Sequence, residues 1–167
     1  MNIELSERTR ECAITYFQKT RDPEIQALIP QKAQTLEAAL ADYELTLLPN
    51  AKSYGKSIFA DGVHVGDIWC YCIGEEDPDA MLSFCIFEKK LWHRGIATAA
   101  TKQFLSEIKN RFSLTSVGAF TYATNHASLR VLQKCGFTER ERFVENGMES
   151  VYLQLDFHGS EQAYERL

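Results

Sequence analysis

Between Leu91 and Leu105 the chain reads LWHRGIATAATKQFL, a single glycine set between an apolar run and a strong helical pattern. A helix that starts directly after a strand turns its unpaired backbone N–H groups, and the positive end of its dipole, toward the carboxyl edge of the sheet. That arrangement suits a phosphate or pyrophosphate. In this stretch Gly95 lets the backbone come close to such a ligand, Arg94 can add a charge-assisted contact, Thr98 offers a hydroxyl and Ala97 avoids bulk, with His93 and Ile96 completing the loop. The competing reading is a tight strand-to-helix turn with His93 and Arg94 on the surface. No Gly-Lys-Ser/Thr follows, so this is not a Walker loop, and the three glycines of a dinucleotide fingerprint are missing.

The elements that must position this loop can be read from periodicity. ECAITYFQKT and TLEAALADYEL carry apolar residues at helical spacing, separated by RDPEIQALIPQ, where Pro23 and Pro30 interrupt or restart helix. The first third is therefore expected to be mainly helical. From Ser53 the period changes to that of strands, broken by a hairpin signal at Asp61-Gly62, and AMLSFCIFEK is a third strand with apolar residues on both faces, as near a sheet's centre. A helix over Ile96 to Phe112, a strand in LTSVGAFTYATN, a helix in ASLRVLQKCG stopped at Gly136 and a hairpin turning at Asn146-Gly147 complete the chain. The middle strand, crossover helix and strand should be parallel and right-handed inside an otherwise antiparallel sheet.

The 167 residues are the size of one domain, and a single domain over 1–167 is expected. A net charge of −5 argues against a nucleic-acid binder that relies on a broad basic surface, whereas an acidic face could attract an amine. Cys12, Cys70, Cys72, Cys85 and Cys135 are odd in number and lie mostly in apolar runs, which points to core packing rather than disulfides. Cys70 and Cys72 share one side of a strand, but no second pair at metal spacing follows, and no metal is expected. No run approaches the roughly 20 apolar residues of a membrane span and MNIELSERTR lacks a signal core, so a cytoplasmic protein without membrane association is expected. The tail HGSEQAYERL is polar and expected to fray.

LWHRGIATAA resembles the coenzyme A pyrophosphate loop of the GNAT superfamily of N-acetyltransferases, and its Trp92-x-x-Gly95-Ile96-Ala97-Thr98 form resembles the RimJ/RimL-like branch. NHASLRVLQKCGF, about thirty residues later, resembles that branch's second motif, with Asn125, Ser128, Lys134, Gly136 and Phe137 at matching places. RDPEIQALIP resembles the segment after the family's first helix. The likeness runs from Thr20 to Phe157. It implies an α+β, GNAT-like fold, a central mixed, mainly antiparallel twisted sheet with helices on both faces. It further implies acetyl-CoA as cofactor, an amine acceptor (a peptide N-terminus or a small amine), and allows a homodimer. There are departures: Trp92 stands where the superfamily's general pattern has Gln or Arg, Leu132 stands where many members have a Tyr that protonates the departing thiolate, and the usual Leu-Arg pair of the first strand is matched poorly by MNIELSERTR.

Acetyl transfer from a thioester needs a neutral amine, yet an alkyl ammonium has a pKa of about 10, so a carboxylate should take its proton directly or through water. The oxyanion that develops needs an N–H donor, which a splayed strand can supply from its backbone; here that strand runs through Ile86 and Phe87. Candidates for the base are Glu88, at the end of the central strand, and Glu149, where RimJ/RimL-like proteins often carry an acidic residue facing the acceptor, with Asp67 a third. A solvated strand end reads Glu88 equally well, as does a surface turn Glu149. The resemblance gives Asn125 a hydrogen bond to the cofactor's pantetheine arm and Ser128 a place near the sulfur as thiolate acid; a helix start capped by Asn125 is the alternative. His64, His93, His126 and His158 share no spacing that would make a metal site or catalytic dyad. Trp69, Tyr71 and Phe84 are candidates for either the acceptor pocket or the core. A non-catalytic acyl-CoA-binding module, in which the loop survives and the acid and base do not, is the rival to an N-acetyltransferase.

Overall fold

The structure is a computed structural model that describes residues 1–157; His158 and the polar tail lie outside the described residues. Strand β1 (Ile3–Glu7) is followed by helices α1 (Arg10–Lys19), α2 (Pro23–Leu28) and α3 (Leu36–Leu45). Then come β2 (Tyr54–Ala60), β3 (Val63–Tyr71), β4 (Met81–Ile86), α4 (Ile96–Phe112), β5 (Ser116–Tyr122), α5 (His126–Lys134), β6 (Thr138–Glu145) and β7 (Met148–Asp156). They build a seven-stranded sheet in the order β1-β2-β3-β4-β5-β7-β6, with β4 at its centre. Every pairing is antiparallel except β4 with β5. The expected mixed sheet and central position of β4 are thus present.

Local chemistry sets the boundaries. Thr9, Asp22, Thr35 and Asn125 cap α1, α2, α3 and α5 by accepting backbone N–H groups, and Pro23 opens α2 where its missing N–H costs nothing. The two hairpins turn on Asp61-Gly62 (φ 49° and 82°) and Asn146-Gly147 (φ 51° and 77°), the paired left-handed residues of a tight two-residue loop. Three helices lie in the first third as expected, and strand β1 is an additional element that periodicity did not place, in the segment where the family's first strand is matched poorly. Ile3 to Glu7 pair with Ala60 to Lys56, and Ile3 and Leu5 pack against the core from one side of the strand. Five residues with two apolar side chains give too weak an alternation to be seen without the partner strand. Cys72 also differs from expectation: Cys70 is buried in β3, whereas Cys72 lies beyond the strand, exposed, at φ 53°.

Successive residues of β4 face opposite helical layers. Leu82, Phe84 and Ile86 pack into the main core with Phe104 and Ile108 of α4, Leu132 of α5 and Val151 and Leu153 of β7. Cys85 instead packs with Ile25 of α2, Phe87 and Tyr16. Each large aliphatic side chain so buried contributes roughly 1.5–3 kcal/mol. Among the described residues no helix is long and apolar enough to cross a membrane.

The parallel pair sets up everything that follows. β4 and β5 are in register only at Met81 and Gly118, where Gly118 N–H donates to Ala80 O at 2.9 Å. A Cβ on Gly118 would stand 2.7 Å from the Tyr152 ring and 2.9 Å from Met81 Sδ, so the close approach requires glycine. Asp79 ties the same end shut: its Oδ2 accepts from Thr115 N (2.6 Å), Thr115 Oγ1 (2.7 Å) and Ser116 N (3.3 Å). Beyond this clamp the strands diverge and leave a V.

Candidate active site

The residues that follow β4 form the first wall of the V. A 3₁₀ turn over Lys89–Leu91 reverses the chain, and Trp92 folds back so that its Nε1–H donates to Ile86 O at 2.7 Å. Trp92 also packs against the Ile25, Cys85 and Phe87 cluster. Its departure from the general family pattern therefore has a structural use: it fastens the loop to the strand. His93 (φ 65°) and Gly95 (φ 80°) are both left-handed, and Gly95 caps α4 with no side chain, so the first amides of this 17-residue helix have no side-chain acceptor. A Cβ on Gly95 would meet nothing within 4 Å. The glycine is needed for its backbone angle, and the space before it is open.

That space is a cavity of about 290 Å³ reached by Ile86 and by His93, Arg94, Gly95, Ile96, Ala97 and Thr98, with Asn125 and Ser128 on the far side. Helix α5 adds Ala127, Arg130, Val131 and Lys134, which are one stripe at helical spacing. Arg94, Arg130 and Lys134 give an acidic chain a local basic rim. Uncapped amides, an open left-handed glycine and three cations fit a pyrophosphate and a further phosphate, as in coenzyme A. Arg130 was not singled out in the sequence; the stripe it shares with Lys134 was the available signal.

The edge of β4 gives the second feature. Phe87 N–H donates to Val65 O at 2.9 Å, on the β3 side. Alternation along the strand then turns Phe84 and Ile86 the other way, the same way as the Ala80 carbonyl, an even number of residues earlier, which accepts from β5. The register of β5 does not reach them, so their N–H groups face the V. Of the two residues expected to supply an oxyanion donor, Ile86 is so placed. Phe87 is corrected: its N–H is already taken and it does not line the cavity.

A second cavity of about 350 Å³ lies on the other side of the edge and shares Leu28, Ile29, Phe84, Asn125 and Ser128 with the first. Asn125 Oδ1 accepts from Ser128 N–H at 3.2 Å, so the cap geometry and the cavity position hold together. Leu132, 1 % exposed, lines the same cavity one helical turn after Ser128. The position that departs from the family's Tyr thus faces the V, with the Ser128 hydroxyl beside it.

The carboxylates fall out differently from expectation. Glu149 is exposed, and its Oε1 is 3.0 Å from Arg142 Nη1 on the face of the hairpin away from this cavity. Ser150, its neighbour, is the residue that lines the cavity, and cross-strand pairing puts Phe143 opposite Ser150. Two steps along β6 from Phe143, Glu145 is the carboxylate on the cavity wall. A register read outward from Asn146-Gly147 could have found it. Glu88 pairs with Lys19 at 3.3 Å and lines neither cavity. Asp67 is 2 % exposed, held by Arg8 Nε at 3.1 Å and His64 Nε2 at 2.8 Å. It lines a third cavity of about 510 Å³ beneath α1 and α3, together with Trp69 and Tyr71. Tyr122, at the open end of β5, also reaches the second cavity. Burial pushes the Cys85 thiol up to about 12, so it stays a neutral part of the packing.

The profile of the acetyltransferase (GNAT) domain matches residues 3–138. No curated protein sequence matches the chain. Among solved structures, aminoglycoside acetyltransferase AAC(6')-Ib in complex with coenzyme A superposes with a TM-score of 0.80 at 14% identity, covering 98% of this chain and 99% of that one. The ribosomal-protein α-N-acetyltransferase RimL, in complex with coenzyme A, gives 0.78 at 15% identity over 93% of this chain and 94% of that one. A Vibrio cholerae spermidine N-acetyltransferase SpeG chimera gives 0.79 at 13% identity over 93% and 96%. At these identities the likeness speaks for the fold, and the profile match speaks for the family: the chain belongs to the GNAT acetyltransferases, enzymes that take their acetyl group from acetyl-CoA.

Proposed function

We propose that this protein transfers the acetyl group of acetyl-CoA to a primary amine by direct attack in a ternary complex, as a RimJ/RimL-like member acting in the cytoplasm. The observation that carries the reading is the meeting of two cavities at Phe84, Asn125 and Ser128, one rimmed by cations and helix amides, the other walled by Glu145. A thioester and an amine entering from opposite sides would come together at the splayed edge of β4. The similar structures are acetyltransferases of aminoglycosides, a ribosomal protein's α-amine and spermidine, all amines.

Acetyl-CoA supplies an acyl group already activated as a thioester, and the chain's own groups do the rest. Loop amides from Gly95 to Thr98, with Arg94, Arg130 and Lys134, would hold the phosphates, and Asn125 would orient the pantetheine arm. The N–H groups of Phe84 and Ile86 face the position where negative charge develops. Glu145 takes the ammonium proton, directly or through a water, and Ser128 Oγ–H supplies a proton to the departing thiolate. A thiol's pKa near 8.5 asks little of that donor. Steady-state release of free thiol from acetyl-CoA over a panel of amines and short peptides tests the reading. Acceptor-dependent release above the slow hydrolysis of cofactor alone is expected; binding of acetyl-CoA with no release for any acceptor would mean a binding module.

A further inference from the structure

Beside the second cavity the sheet exposes aromatic surface. Phe120 stands in β5 at 54 % exposure, directly opposite Tyr152 of β7 with ring centroids 5.2 Å apart. Phe143 of β6 meets the same ring edge-on at 5.8 Å. The three rings, on three adjacent strands, form one contiguous aromatic surface with Phe120 exposed and Tyr152 and Phe143 half-buried, and contiguous apolar surface beside a cavity marks a binding site. This row is continuous with the reaction cavity, because Phe120 and Phe143 line it while Ile29, Pro30 and Phe84 form the wall across from them. Among the residues lining that cavity Glu145 is the charged one; the others with polar side chains, such as Ser83, Thr121 and Ser150, are neutral.

We infer that the acceptor carries a single ammonium on an aromatic or bulky apolar body, which lies on Phe120 and Phe143 while Glu145 receives the amine. The inference rests on the acetyltransferase reading and narrows it. One carboxylate can offset one ammonium, and a polyamine or amino sugar would bring further charges to rings that cannot replace their hydration. An aryl or branched side chain gains instead from ring packing and from leaving water. The same chemistry could come from a small arylalkylamine or from a peptide whose first residue is aromatic.

The test compares, with saturating acetyl-CoA, phenethylamine and the tripeptide Phe-Gly-Gly against spermidine and Gly-Gly-Gly. We expect kcat/KM at least tenfold higher for the better aromatic acceptor than for either of the other two, and which of the aromatic pair leads tells small amine from peptide. Phe120→Ser with Phe143→Ser should erase that preference and weaken calorimetric binding of phenethylamine to the coenzyme-free protein at least fivefold. Phe120 is solvent-exposed and Phe143 partly so; an unchanged melting temperature and an unchanged thermal shift with coenzyme A would verify that fold and cofactor site survive. Preference for spermidine or Gly-Gly-Gly, or an aromatic preference that survives the double substitution, would overturn the inference and leave the transferase reading standing. Release from no acceptor at all would overturn both.

Discussion

The two walls of the V do different physical work. The coenzyme wall is built around the consecutive residues Trp92 to Thr98, whose offer to a ligand is mostly backbone (amides, a dipole and two left-handed angles), with the cations Arg130 and Lys134 added from α5. The acceptor wall is assembled from α2, β4, β5, α5, β6 and β7, elements far apart in sequence, and its character comes mainly from side chains. A backbone site tolerates almost any side chain but is lost with one backbone angle. A side-chain site keeps its shape through most single changes, and each shifts its preference, except where the change removes Glu145, the one carboxylate on its wall among the described residues. Substitutions should therefore be severe and non-selective on the first wall, and graded and selective among the apolar contacts of the second.

The largest effect should come from Gly95→Val. A β-branched residue at φ 80° is strained, at a cost of roughly 1–2 kcal/mol, and its branches enter the space the phosphates would occupy. The thermal shift given by acetyl-CoA should vanish, while the unliganded protein melts a few degrees lower. An intact shift would break the backbone account of the first wall.

Next is Glu145→Gln. A general base contributes typically ~10²- to 10⁴-fold, so kcat/KM near neutral pH should fall within that range. The loss should shrink at high pH, where the amine is neutral without help, and coenzyme affinity should hold. Glu149→Gln, whose carboxylate is paired with Arg142, should change kcat/KM less than threefold; the reverse order of the two would move the base to the other face of the hairpin.

The clamp at the closed end comes third. Burial works against the Asp79 carboxylate, but the hydrogen bonds from Thr115 and Ser116 outweigh it and hold its pKa below the ordinary value. A depressed carboxyl pKa adds stability above its unfolded pKa, near 4, and that stability is lost as pH falls through the lower folded value. Asp79→Asn should thus cost about 0.5–1.5 kcal/mol at pH 7, because solvent screens the carboxylate and the amide oxygen can still accept, read by urea unfolding with a difference that narrows below pH 4. A pH-independent difference would mean the carboxylate's charge is not what ties β4 to β5.

Smallest is Ser128→Ala, expected to lower kcat a few-fold with little change in acceptor KM, since a thiolate leaves tolerably well unaided and water can replace the hydroxyl. A loss of stability with unchanged turnover per folded molecule would reduce Ser128 to support of the helix start.

The same contrast explains what could be read in advance. The loop at Gly95, the cap at Asn125, both hairpins and the bounds of α4 are local in sequence, where capping, turn chemistry and a 3.6-residue period act over a few positions. Glu145 lines the cavity and Glu149 does not because one step along a strand reverses the face, and only the pairing of Phe143 with Ser150 says which face is the cavity. Phe87 failed for the same reason at the opposite edge. Strand β1 is legible only beside β2. The pairing of Asp67 was not legible in sequence because one partner, Arg8, comes from the distant turn before α1, while the other, His64, lies on the same strand β3.

In the proposed complex the coenzyme lies along one backbone edge from β4 to the start of α4, with the cations of α5 across from it. Titrating the ¹⁵N-labelled protein with coenzyme A and following backbone amides tests it most directly. The largest shifts should fall on Phe84, Ile86 and Gly95 to Thr98, with Asn125 and Ser128 following and the third cavity around Arg8 and Asp67 silent. Shifts concentrated around Arg8, Asp67 and Trp69, with Gly95 to Thr98 unmoved, would contradict it.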